Sequence, residues 1–164
     1  MLNKKPTSKQ VANAGIISAI YIALSLIFYP ISYGGVQVRI SEALSLLPLF
    51  FPESVLGLTV GCLISNLFGN GLLDVVFGTL ATLLSATLTY FIGTKIKSEP
   101  LKITVGGIFP VVINAVIVPF TFLAVTELKS LYLINAVQVF LGQAISVYAL
   151  GIPIYLAIKK SKKN

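Results

Sequence analysis

Arg39 and Glu42 stand three residues apart in VQVRISEALSLLP, residues 36–48, within a stretch dominated by apolar side chains. Arg39 is the chain's sole arginine. On a helix the two share a face. Asn66, Asp74, Asn114, Gln138 and Gln143 are similarly set in near-unbroken hydrocarbon. Ionisable groups at membrane depth are costly and read as functional by default. Amides and carboxylates gathered at one mouth can hydrogen-bond the donor–acceptor edge of a flat heterocycle, the carboxylates suiting N–H edges or a ligand amine. Tyr29, Tyr33, Phe68 and Phe77 are candidates to stack on its ring. Each residue also has a plainer reading. Arg39 with Glu42 is an ion pair at a helix start. Asp74 is an N-cap. Asn66 is a polar cap before the Gly69-Asn70-Gly71 turn. Asn135, Gln138 and Gln143 are interhelical glue. The aromatics are interfacial packing, and Glu127 with Lys129 is a solvated loop pair.

The elements that must position these groups follow from composition. Of 164 residues, 56% are hydrophobic and 10% charged, where soluble domains carry roughly 25% charge. Mean hydropathy is +0.95. Residues 10–38, 54–73, 75–94, 103–126 and 130–158 hold no charged side chain, and a membrane-spanning helix needs about 20 apolar residues. The expectation is an all-α membrane protein forming a single integral domain over 1–164. It has six transmembrane helices, at about 11–28, 41–51, 54–68, 74–93, 103–124 and 134–158. With the N-terminus inside, Lys4, Lys5, Lys9, Lys95, Lys97, Lys102, Lys159, Lys160, Lys162 and Lys163 fall inside, and only Arg39 and Lys129 outside. That asymmetry is the positive-inside pattern. Both termini are then cytoplasmic, and the polar mouth is extracellular.

Several classes are excluded. The chain has no histidine, which removes His-based catalysis, His zinc sites and haem ligation. Its lone Cys62 rules out an internal disulfide and is expected to pack as a small hydrophobe. No nucleophile–base pair or metal cluster stands out, so no enzyme, metal or cofactor is expected. Gly93-Thr94-Lys95 lacks the upstream glycine of a phosphate-binding loop, so the chain does not hydrolyse ATP. The net charge of +7 reflects topology and not nucleic acid. The N-terminus lacks a convincing secretory cleavage pattern, and no internal repeat marks an inverted-repeat carrier. Gly57, Gly61 and Ser65 recur every four residues, and Ala14, Gly15, Ser18, Ala19 and Ala23 give the first span small surfaces. Small residues at such spacing let helices approach closely.

VQVRISEALSLLP, then GLTVGCLISN, LLDVVFGTLATLLSATLTY and GQAISVYALGIPIYLAI, resemble the QueT family of queuosine-precursor transporters across nearly the whole chain. That family belongs to the substrate-binding S components of energy-coupling factor (ECF) importers. The resemblance implies an S-component-like bundle in the bacterial cytoplasmic membrane, binding substrate from outside under a lid at about 30–40. It implies docking on a transmembrane coupling protein with two cytoplasmic ATPases, and toppling in the lipid to deliver substrate. Docking would use Ala14, Gly15, Ser18 and Ala19, although Ala14-Gly15-Ile16-Ile17-Ser18 only loosely matches the family's Ala-Ala-x-x-Ala. The implied substrate is queuine or a pre-queuosine base, both 7-deazaguanines. Glu42 and Asp74 would take N–H donors or the amine, and Asn66, Gln138 and Gln143 the ring edges. Asn114 lies deeper, and Arg39 would hold the carbonyl or Glu42. An S component for another vitamin or nucleobase, a stand-alone secondary carrier and a purely structural membrane protein are the alternatives.

Overall fold

A computed structural model describes residues 5–32, 38–69, 72–123 and 129–162. Tyr33 and most of the expected lid, the Asn70-Gly71 turn, Glu127, Lys4, Lys163 and the Lys129 side chain lie outside that description. The described chain is all-helical. Its elements are α1 (Ser8–Ile27), α2 (Tyr29–Ser32), a 3-10 helix (Ile40–Leu49), α3 (Ser54–Gly69), α4 (Leu72–Lys95), α5 (Glu99–Ile117), α6 (Phe120–Leu123), α7 (Lys129–Ala144), a π-helical stretch (Ile145–Leu150) and α8 (Gly151–Ser161). Four helices are long and apolar enough to cross a membrane: Ser8–Ile27, Leu72–Lys95, Glu99–Ile117 and Leu131–Ser161. Two shorter apolar helices, Ile40–Leu49 and Ser54–Gly69, accompany them.

Local chemistry sets the helix ends. Thr7 and Gln10 open α1 with a reciprocal capping box. α5 stops at Ile117, short of the 124 expected from hydropathy. Pro119 has no N–H to continue the ladder and disfavours helical geometry at the residue before it. Inside α5, Pro110 removes the donor that Gly106 O would receive, and Thr89 on α4 supplies a replacement through Oγ1 at 2.8 Å. In lipid a backbone carbonyl left without a donor has no water to turn to, so this bond helps to fasten α4 to α5.

The 3-10 helix is the centre of the bundle. It packs against α1, α3, α4, α5, the π-helical stretch and α8, and residues 41–49 are all buried. Its threefold repeat stacks positions i and i+3 directly over one another. Leu44 and Leu47 therefore share one edge, which joins a core cluster with Tyr21, Leu58, Cys62 and Ala86. Leu46 and Leu49 share a second edge and join a cluster with Val111, Val147 and Tyr155. Glu42, Ser45 and Pro48 form the third. At about 2.0 Å per residue its ten residues extend further than ten residues of α-helix at about 1.5 Å, which suits a short element placed among long ones.

α1 and α3 meet at small residues. A Cβ on Gly57 would lie 2.8 Å from Ala14 O, and one on Gly61 would lie 2.8 Å from the Tyr21 Cβ. The distribution of polarity is the reverse of a soluble protein's. Val11, Ile16, Leu80, Leu133 and Val137 face outward, while Arg39, Glu42, Asn66, Asp74, Asn114 and Gln143 are buried. Thr89→Val, which leaves Gly106 O without its replacement donor, should cost about 1–3 kcal/mol and lower the melting temperature in detergent by several degrees. Thr89→Ser should restore most of it. Gly61→Leu should lower the melting temperature as well, because the added side chain must enter the α1 backbone's space.

Candidate substrate-binding site

Glu42 is 1% exposed. Its Oε1 accepts from the Tyr21 hydroxyl at 2.5 Å, and its Oε2 accepts from Ser45 Oγ at 2.5 Å. Ser45 reaches it because the 3-10 repeat puts the two on one edge. Ser25 Oγ donates to Ser41 Oγ at 2.8 Å, a second polar tie between α1 and the 3-10 helix. Arg39, the N-cap residue of that helix, is also buried. It lies within electrostatic reach of Tyr21 and Cys62, as does Glu42.

Cys62 links this group to a second one. Its sulfur accepts from Thr82 Oγ1 at 3.2 Å and from Asn66 Nδ2 at 3.4 Å, and its thiol donates to Gly78 O at 3.6 Å. The expectation that it packs merely as a small hydrophobe is too narrow: it is a fully buried junction of side-chain hydrogen bonds. Asn66 Nδ2 also donates to Asp74 O at 2.9 Å. That carbonyl only accepts, so the orientation of the amide is settled. Its Oδ1 is left buried with no hydrogen-bond partner among the described residues. Gly78 makes room for the amide, since a Cβ there would sit 2.8 Å from Asn66 Nδ2. Asp74, in the first turn of α4, is 7% exposed.

A third set lies where α5 meets α7. Val111 and Val147 belong to one core cluster, and Ala115, Val118 and Val139 to another. Asn114 shares the helical face of 111, 115 and 118, and Gln143 that of 139 and 147. Both amides therefore occupy the level between the two clusters. Asn114 Nδ2 donates to Pro110 O at 2.8 Å. Its Oδ1, like Gln143 Oε1, is buried without a partner among the described residues. The π-helical stretch begins two residues after Gln143, at Ile145. It is braced by Tyr148, whose hydroxyl donates to Thr104 O at 2.8 Å, and its end abuts the 3-10 helix, because a Cβ on Gly151 would come 2.9 Å from Ala43 O.

Of the residues expected from sequence, Arg39, Glu42, Asn66 and Asp74 thus gather around α1, the 3-10 helix, α3 and α4. Asn114 and Gln143 form the separate α5–α7 set, and Gln138 is half-buried. Tyr29, Phe68 and Phe77 are exposed on the outside of the bundle. Tyr29 instead ties α2 to the end of α3 by donating to Gly69 O at 3.0 Å. Ser18 is buried, whereas Gly15 and Ala19 are exposed. Sequence reasoning missed Tyr21, Ser45 and Thr82. Ser18, Tyr21 and Ser25, spaced three and four apart in α1, were the available signal.

The chain matches the model of the QueT transporter family over residues 11–160. It belongs to the QueT transporter family. It is 31% identical over 98 residues to the queuosine precursor transporter QueT of Lactococcus lactis subsp. cremoris (strain MG1363), an alignment spanning 58% of this chain and 58% of that protein. No solved structure matches the chain. QueT proteins are transporters and not enzymes, and with its apolar helices this member is a multi-pass protein of the cytoplasmic membrane.

Two measurements check this site. Cys62 is 0% exposed, so a thiol-reactive dye should label the folded protein at least about tenfold more slowly than the unfolded one, and the labelling transition should coincide with thermal unfolding. Tyr21→Phe removes a donor from a buried carboxylate and should cost about 1–3 kcal/mol, read as a lower melting temperature by the same dye.

Proposed function

We propose that this chain is the substrate-binding S component of an ECF importer and captures a queuosine precursor, a 7-deazaguanine base, from the extracellular side. The observation that carries the reading is the set of buried acceptors. Asn66 Oδ1, Asn114 Oδ1 and Gln143 Oε1 lack partners among the described residues, and the buried Glu42 carboxylate lies within electrostatic reach of Cys62, which accepts from the Asn66 amide. An unsatisfied buried acceptor costs about 1–3 kcal/mol, and a ligand rich in N–H donors removes that cost. A deazaguanine offers such donors on its amino-pyrimidinone edge and at the pyrrole nitrogen, and the aminomethyl precursors add a cation for Glu42 or Asp74. Arg39 then holds the carbonyl or Glu42, and Gln138 takes an outer edge. The Lactococcus lactis relative, a queuosine precursor transporter, supports the substrate class.

In this reading the two shorter apolar helices complete six crossings, and both termini are cytoplasmic. Residues around 30–40 serve as the lid. Transport energy comes from a coupling protein and two ATPases, docked on the exposed Gly15–Ala19 side of α1 with Ala14 at its border. Ser18 contributes only by fixing α1 to α3. A stand-alone carrier is the second reading, and the buried Glu42 carboxylate is what favours it, as a proton or ion site.

Purified protein in detergent should be stabilised by queuine or a pre-queuosine base in a concentration-dependent way, and not by guanine or riboflavin. Glu42→Gln should weaken that response at least about tenfold, the loss of one charge-assisted hydrogen bond, while the unliganded protein stays folded. Stabilisation by riboflavin alone would discard the substrate. Uptake by the chain alone in liposomes under an ion gradient, without ATPase partners, would replace the importer with the carrier.

A further inference from the structure

A cleft of about 310 Å³ opens beside α1, lined by Asn13, Ile16, Ile17, Leu47, Phe51 and Ile158. Its inner wall is the apolar cluster around Tyr21, to which Leu47 belongs and against which Ile17, Phe51 and Ile158 pack, and it extends from there toward the N-terminal end of α1 at Asn13. Three contacts show that helix ends bearing lysines converge there. Asn13 Nδ2 donates to Glu53 Oε1 at 2.9 Å. Lys159 Nζ is 3.2 Å from Glu99 Oε2, an oxygen that also accepts from the Tyr155 hydroxyl at 2.6 Å. Lys162 Nζ sits 4.1 Å from the ring centre of Phe51, itself a wall of the cleft.

We propose that this cleft binds one anionic phospholipid, with an acyl chain along its apolar walls and the phosphate between Lys9 and Lys162. The chain crosses a bilayer, so an apolar cleft open to the side faces acyl chains and not water. The polar end is set by helix geometry. Lys9 precedes Asn13 by four residues and Lys162 follows Ile158 by four, so each lysine lies one turn beyond the lining on the lining's own face. Long lysine stems reach the headgroup level from such positions. The local charge balance favours an anion. Glu99 is engaged by Lys159, and Glu53 by Asn13. Lys9 and Lys162 have no carboxylate within ion-pair range among the described residues. Basic clefts between transmembrane helices are the usual seats of anionic headgroups.

The test is native mass spectrometry of the full chain, released from micelles holding equal amounts of phosphatidylglycerol and phosphatidylcholine with the same acyl chains. One phosphatidylglycerol should be retained with a preference of at least about tenfold, and Lys9→Gln with Lys162→Gln should reduce that preference about tenfold or more. Ile16 is 58% exposed, so Ile16→Trp fills the cleft from outside without entering the core and should abolish retention. Val11→Trp, equally exposed but outside the lining, should retain the lipid. Melting temperatures of all variants, read through Cys62, confirm that each is folded. Equal retention of both lipids, retention unchanged by Ile16→Trp, or a dimer that Ile16→Trp dissociates would each overturn the proposal. Deazaguanine stabilisation is read separately and should be indifferent to Ile16→Trp.

Discussion

A carboxylate almost sealed from solvent inside a bundle whose outside is hydrocarbon sets the terms for the rest of this molecule. Glu42 is tolerable only because Tyr21 and Ser45 each donate to one of its oxygens and Arg39 lies in the same electrostatic neighbourhood. Burial of an unpaired charge is among the most costly events in a protein interior. Each helper must therefore be held firmly. Tyr21 is held by the close approach of α1 to Gly61 of α3, and Ser45 by the 3-10 geometry. The close α1–α3 contact, the buried central helix and the Cys62 junction can be read as one support system for this charge.

Much of the architecture was legible because long charge-free runs in a chain this hydrophobic admit few fates. Arg39 and Glu42 were legible for the same reason: ionic groups are conspicuous in oil. The neutral helpers were not. Tyr21, Thr82 and Cys62 look like ordinary occupants of apolar helices, and their roles appear only when another helix brings Glu42 or Asn66 alongside. Aromatics near the polar mouth suggested stacking, yet sequence proximity does not determine facing, and Phe68 and Phe77 point outward. The stop at Ile117 depended on Pro119, which a hydropathy window averages away. The amides of Asn114 and Gln143 were visible as residues, but their shared level between two apolar clusters needed both helices in place.

The two ends of the bundle carry different chemistry for physical reasons. Around Glu42 and Asn66, polar atoms are buried and short-range hydrogen bonds set the geometry. Near Glu99 and Phe51, lysines reach outward over aromatic and carboxylate partners, where water and lipid headgroups screen charge. Side chains at that end can exchange partners at small cost. Those around Glu42 cannot, since in a dry interior each lost bond leaves a group with no alternative.

The central helix also limits how this chain can change in length. Its three edges serve three environments: one meets the Tyr21 cluster, one the Tyr155 cluster, and one carries Glu42 and Ser45. Inserting or deleting a single residue between Glu42 and Ser45 rotates every following position by about 120° on a threefold helix. Leucines then turn toward the polar groups, and Ser45 leaves the carboxylate it serves. Substitutions there can be graded, with Leu for Met or Ser for Thr, but changes in length cannot. The segment behaves like a β-strand, in which a one-residue slip exchanges the faces, although it contains no strand at all.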